Sequence, residues 1–177
     1  MAHYLVVDLE ATCWPGRQQP NTETIEIGAV IIDENFQISS EFSSVIRPVR
    51  YPILTTFCTK LTGISQKEVD NAHGFVYVFR NFVEWYSDFT QFYSWGTFDL
   101  IQFRKDCKYH KIPYLFEHHI DLSMIFTKKI GRRKGHRGAM KILGIPSTGK
   151  HHRGIDDARN IAKMLPILME ARQWPDT

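Results

Sequence analysis

Cysteine is scarce. Cys13, Cys58 and Cys107 are the only three among 177 residues, an odd number set far apart. No C-x-x-C pair occurs, so neither a disulfide framework nor a cysteine-based zinc site is expected. Reduced thiols in a cytoplasmic protein are the simpler reading. Long apolar runs are also missing. Nothing approaches the ~20 residues of a membrane-spanning helix. Leu5-Val6-Val7 is too short for a secretory signal core, and no basic leader precedes it. Repeats, low-complexity tracts and linkers are absent, which leaves one domain over residues 1–177 with room for a proper core.

Apolar residues make up 43% and aromatic residues 13%, the composition of a globular chain. The net charge of +3 is unremarkable. Its distribution says more. Lys128, Lys129, Arg132, Arg133, Lys134 and Arg137 crowd into ten residues, with Lys150 and Arg153 close behind. Such a run is commonly a solvated loop. Beside a carboxylate-rich site it reads as a phosphate-binding surface.

Hydrophobic patterning predicts strands over 4–11, 25–32 and 36–46. Asp33-Glu34-Asn35 supplies a turn, and Ser39-Ser40 marks a bulge. Residues 52–64 read as irregular or shortly helical. Phe75, Val78, Phe79, Phe82 and Trp85 or Tyr86 recur at helical spacing within 73–87. A strand is predicted from Phe89 to Trp95. Thr97 is expected to cap a helix over about 98–109, and Asp121 to cap another that turns Leu122, Ile125 and Phe126 inward. Gly144 ends a helix built around Ala139, Ile142 and Leu143. A last helix from Gly154 carries an inward stripe of Ile155, Ala158, Ala162, Leu165 and Met169. Three strands, then helix and strand alternating, then helices, predict an α/β fold with a mixed central sheet flanked by helices.

Chemistry concentrates in three places. Asp8 and Glu10 stand two apart on the first strand and share a face, while Val7 and Leu9 point into the core. Two like charges there are costly unless a divalent cation lies between them. Mg²⁺ or Mn²⁺ takes hard oxygen ligands, and a pair of ions about 3.5–4 Å apart suits in-line phosphoryl displacement. The ordinary alternative is one solvated strand face. Asp99 follows the predicted strand at its join to a helix, a good place for a third ligand, though a first-turn carboxylate also serves the helix dipole. In His151-His152-Arg153-Gly154-Ile155-Asp156-Asp157, Asp157 falls in the first turn of the last helix and Asp156 about 100° around it. A loop imidazole there could take a proton from a bound water. Each feature has a bland explanation alone. Their joint order along the chain is far harder to obtain by accident.

The sequence resembles the DEDDh exonucleases of the ribonuclease H-like superfamily. The resemblance rests on Val-Val-Asp8-Leu-Glu10-Ala-Thr-Cys13, on Ser-Trp-Gly-Thr-Phe-Asp99-Leu and on His152-Arg-Gly-Ile-Asp-Asp157-Ala-Arg-Asn-Ile-Ala. It is most similar to the enhanced-RNAi-type branch, through Glu10-Ala-Thr-Cys13, Phe57-Cys58 with Leu61-Thr62-Gly63-Ile64, and Gly154-Ile-Asp-Asp-Ala-Arg-Asn-Ile-Ala. The resemblance implies that Asp8, Glu10, Asp99 and Asp157 hold two Mg²⁺ or Mn²⁺ ions. It makes His152 the general base, with His151 a rival because it stands five residues before Asp156. Ala11, Thr12, Phe57, Leu61, Phe98 and His152 would meet the substrate, a single-stranded RNA or DNA 3′ end cut to 5′-mononucleotides. One ion would help activate water and the other stabilise the leaving 3′ oxygen. With the catalytic strand beginning at residue 4, a simple end trimmer is expected rather than a stem-loop reader. Three rival readings stand beside this one: a DNA proofreading or repair exonuclease, a non-catalytic binding module and a structural zinc protein. All five residues being present argues against the second, and the cysteine spacing against the third.

Overall fold

The computed structural model describes residues 4–16, 21–86, 91–170 and 174. Strands β1 (Tyr4–Ala11), β2 (Thr24–Ile32) and β3 (Ile38–Val45) form an antiparallel meander. The turn between β2 and β3 forms because the Asp33 carboxylate accepts the amides of Asn35 and Gln37 at 2.9 and 2.8 Å. The expected bulge falls at Ser39: Ile31 pairs with Ser40 and Ile32 with Ile38, leaving Ser39 unpaired.

Helices α1 (Thr56–Thr62), α2 (Gln66–Asp70) and α3 (Phe75–Trp85) follow, then β4 (Gln91–Ser94), α4 (Phe98–His110) and β5 (His118–Asp121). The chain continues through α5 (Leu122–Ile130), α6 (His136–Ile142), α7 (Gly154–Ala162) and α8 (Leu165–Leu168). The sheet order is β3-β2-β1-β4-β5, with β1 antiparallel to β2 but parallel to β4, and β4 parallel to β5. This is the mixed sheet that the element order predicted.

Alternate residues of a strand face opposite ways, and β1 uses both faces for core. Leu5, Val7 and Leu9 pack with Phe79 and Phe82 of α3 and Phe103 of α4. Val6 packs on the other face with Leu122, Phe126, Ala158 and Ile161 of α5 and α7. Phe82, Phe92 and Phe103 are fully buried, each contributing about 2–3 kcal/mol of transfer free energy. The central strand is therefore held between two helical layers, and only its carboxyl end is left to carry polar chemistry.

Four expectations need correction or trimming. β5 was not anticipated, because His118-His119-Ile120-Asp121 is short and carries no apolar alternation. Thr97 stands at the N-cap of α4, but its side chain makes no capping bond. Asp121 does cap, accepting the amides of Ser123 and Met124. The long last helix is two: Pro166 sits in the first turn of α8, and a proline there cannot continue a helix from Ala162 because it lacks an N–H and crowds the preceding turn. Phe89 and Thr90 of the expected fourth strand, and Ser87 of the preceding helix, lie outside the described residues. Among the described residues no helix is long and apolar enough to cross a membrane.

Candidate active site

Asp8 and Glu10 emerge from the end of β1 where the sheet changes from antiparallel to parallel pairing. A crevice beyond the carboxyl ends of strands at such a point is where α/β sheets bind ligands. Asp8 is half-buried and Glu10 only 7% exposed. β1 pairs with β4 at Val6 and Tyr93. Further along, the Leu9 amide is taken by Asp99 Oδ1 at 2.8 Å. A buried backbone donor must find an acceptor, so this bond ties the first turn of α4 to β1 and brings a third carboxylate beside the pair.

The fourth comes from α7, which crosses β1 and β2 closely. A Cβ on Gly28 would stand 2.0 Å from the Gly154 carbonyl carbon, and one on Gly154 2.8 Å from the Asp8 carbonyl oxygen. Only glycine fits on either side. Fully buried Glu26, the β2 partner of Glu10, fastens the crossing. It accepts the Gly154 amide at 2.8 Å and the Arg153 guanidinium at 2.9 and 3.2 Å.

Asp157, one turn into α7, is 1% exposed. Its Oδ1 lies 3.0 Å from His136 Nε2, and its Oδ2 accepts the His152 amide at 2.8 Å and lies 3.1 Å from His151 Nδ1. Asp156 points elsewhere, to Arg159 and the Lys150 amide. The expected distinction between the two aspartates therefore follows from their 100° separation. His152 is in the left-handed region, φ +61°. Its ring stacks on that of His151, centroids 3.8 Å apart, and its Nδ1 is 3.9 Å from Glu10 Oε1.

One cavity of about 400 Å³ gathers these groups. Asp8, Glu10, Asp99, Asp157 and His152 all line it, and so do Ala11, Thr12, Leu61 and Phe98. Phe57 does not line it; that side chain lies on α1, 39% exposed. Trp95, His136 and His151 line the cavity as well. His136 was not singled out from sequence. It stands 21 residues before Asp157 with no local pattern to mark it. Glu26 was also missed, although a glutamate between Ile25 and Ile27 in an apolar strand was a readable signal.

The family model for RNase T exonucleases matches residues 5–165. The chain belongs to the RNase T exonuclease family. Within that family it falls with the DEDDh 3′–5′ exonucleases of the enhanced-RNAi type. It is 32% identical to ERI1 exoribonuclease 2 of Xenopus laevis over 92% of this chain, and spans 28% of that relative. It is 30% identical to the probable 3′-5′ exonuclease KapD of Bacillus subtilis (strain 168), over 96% of this chain and 86% of that one. Among solved structures, the nuclease domain of 3′hExo, a DEDDh family member bound to rAMP, superposes with a TM-score of 0.85 at 24% identity, covering 98% of this chain and 94% of that one. The fold of this RNase T exonuclease family member is thus ribonuclease H-like.

Electrostatics separate the four carboxylates of this family member. Burial, then the charges of Asp99, Glu10 and Asp157, raises the Asp8 carboxyl well above the usual range. Burial, with Asp157 and Glu26 nearby, pushes Glu10 up to about 9. Burial lifts Asp99 to about 6, against the bonds it accepts from Leu9 and Ser94. Burial would raise Asp157 too, but His136 and the His152 amide hold it below the usual range. Such a set is costly as anions and well suited to a divalent cation.

Proposed function

We propose that this chain is a metal-dependent 3′–5′ exonuclease, one domain over residues 1–177, that shortens single-stranded RNA ends and releases 5′-mononucleotides. The observation that carries the reading is one cavity lined by Asp8, Glu10, Asp99 and Asp157, from three distant segments, with His152 beside Glu10. Among the described residues no donor is hydrogen-bonded to the Asp8 or Glu10 carboxylates. Hard oxygens without partners fit Mg²⁺ or Mn²⁺, and these four residues would hold two such ions. When bound, the ions supply Lewis-acid stabilisation of charge at the phosphoryl group and acidify a water.

The chain's own groups do the rest. Burial, reinforced by His151, lowers the His152 pKa, so the imidazole is neutral near pH 7 and free to accept a proton from the attacking water. The hydrogen bond that its backbone N–H donates to the Asp157 carboxylate keeps the loop in register with the carboxylates. Phe98, 39% exposed, and half-buried Leu61 flank the cavity as candidates to stack on or wedge against the terminal bases. The exposed run of Lys128, Lys129, Arg132, Arg133 and Lys134 is proposed to track the phosphate backbone. The three cysteines are free, in keeping with a cytoplasmic location.

A time course on 5′-labelled RNA and DNA, single-stranded and duplex, tests the reading with Mg²⁺ and with excess chelator. A ladder shrinking from the 3′ end, faster on single-stranded RNA and abolished by chelator, is expected. Undiminished trimming in chelator would remove the metal mechanism. Equal or faster DNA trimming would move the substrate to DNA ends.

A further inference from the structure

We propose that His136, His151 and Asp157 form a separate transition-metal site, selective for Zn²⁺ over Mg²⁺, through which zinc inhibits the enzyme by engaging Asp157. The ligand atoms of these three residues all lie within 4.8 Å of one another. Asp157 Oδ1 is 3.0 Å from His136 Nε2 and 3.4 Å from His151 Nδ1. The edge of a zinc tetrahedron with bonds near 2.05 Å is ~3.3 Å, so the donors already stand close to the required spacing. The two rings meet edge to face, centroids 5.0 Å apart, which brings two nitrogens to one carboxylate without stacking one imidazole over the other.

The donor set decides the metal. Two imidazoles and one carboxylate suit Zn²⁺ and neighbouring first-row ions, whereas Mg²⁺ prefers oxygen and keeps its waters. Asp8, Glu10 and Asp99 offer only oxygen. Access and closure are both provided: His136 is buried and fixed, while His151 is half-exposed and lines the open cavity. A cavity water completes four-coordination. Zinc at this site would share Asp157 with the magnesium centre and draw it toward the histidines. The inhibitory half of the proposal rests on the exonuclease reading. The binding half does not.

The test begins with the full chain carrying Asp8→Asn and Asp99→Asn, which disables the oxygen-only centre. Zn²⁺ is titrated in competition with a chromogenic chelator, and Co²⁺ is followed by its visible absorption. One equivalent of Zn²⁺ and a tetrahedral Co²⁺ spectrum are expected. Adding His136→Gln and His151→Gln should weaken zinc binding at least tenfold, with circular dichroism checking the fold. If the double change unfolds the chain, His151→Gln alone, at a half-exposed position, gives the same comparison. No zinc bound by the intact trio, or an equivalent that survives removal of both histidines, overturns the proposal. In the otherwise unaltered chain with Mg²⁺, zinc that slows trimming tenfold should slow His151→Gln less than twofold, each against its own zinc-free rate. Equal inhibition of both would overturn the inhibitory role. A chain that binds zinc but trims nothing would instead count against the exonuclease reading alone.

Discussion

Two groups of buried or half-buried carboxylates lie side by side at one end of the sheet, and they are treated in opposite ways. Glu23 is 3% exposed and accepts the amides of Val49, Arg50 and Tyr51 at 2.9, 2.7 and 2.8 Å. Asp106 is 1% exposed and takes the Thr24 amide and hydroxyl, the Gln102 amide and the Arg50 guanidinium, at 3.0, 2.7, 2.8 and 3.1 Å. Every charge there is answered by the chain. Asp8 and Glu10 have no such donors among the described residues, and only a 3.9 Å approach of His152. Burial without donors is destabilising. Its persistence in one place, next to a network where the same problem is solved, supports the proposal that cations bind at Asp8 and Glu10.

The sharpest way to break that contrast is Asp8→Asn. Turnover should fall by about 10³-fold or more while the fold survives. In excess chelator the melting temperature should rise, by about 2–4 °C for each kcal/mol of repulsion relieved. Rates near those of the unaltered chain, in a single-turnover assay, would erase the distinction. Arg50→Met probes the other group. It strips Asp106 of its cation and should cost about 3 kcal/mol in urea unfolding, the low end for a broken buried pair because Arg50 is 19% exposed at its side chain. Activity per folded molecule should stay within a few-fold.

A subtler difference lies in pH dependence. Glu10 is pushed up to about 9 and Asp8 is raised as well, whereas the unfolded chain ionises both near their ordinary values. Between those limits the metal-free fold holds protons that the unfolded chain releases, so unfolding stability should fall as pH rises from about 5 to about 8.5. Glu10→Gln should flatten that slope, and Mg²⁺ should oppose it. A slope unchanged by Glu10→Gln, measured by urea midpoints with chelator, would mean that the carboxylate is not held protonated. The smallest effect is expected outside both groups. Replacing Lys128, Lys129, Arg132 and Arg133 with Gln should weaken RNA binding and reduce the salt slope by about 0.7 for each phosphate no longer neutralised. An unchanged slope would leave the run as solvated surface.

Much of the fold was readable because its signals are local. β1 falls where Tyr4-Leu5-Val6-Val7 predicted it, and α3 presents the expected Phe75, Val78, Phe79 and Phe82 to the core. The bulge at Ser39 and the Asp121 cap were visible in the residues that make them. β5 was not, since His118 to Asp121 becomes a strand only by pairing with β4. The break between α7 and α8 was legible in Pro166 but outweighed by the apolar stripe.

The sequence by itself determined that Asp8 and Glu10 share a face and that α4, α5 and α7 open near Thr97, Asp121 and Gly154, because strand and helix periods act over a few residues. It also placed the chain with the DEDDh exonucleases through three short motifs. What the tertiary structure decided is convergence. Gly28 against Gly154 lets α7 lie on the sheet, Glu26 clamps it there, and His136 reaches Asp157 from 21 residues away. Cys13 and Cys58, unremarkable in sequence, come to pack in one cluster. Such juxtapositions depend on distances between backbones that no local periodicity encodes, and they are set only when the two helical layers close on β1.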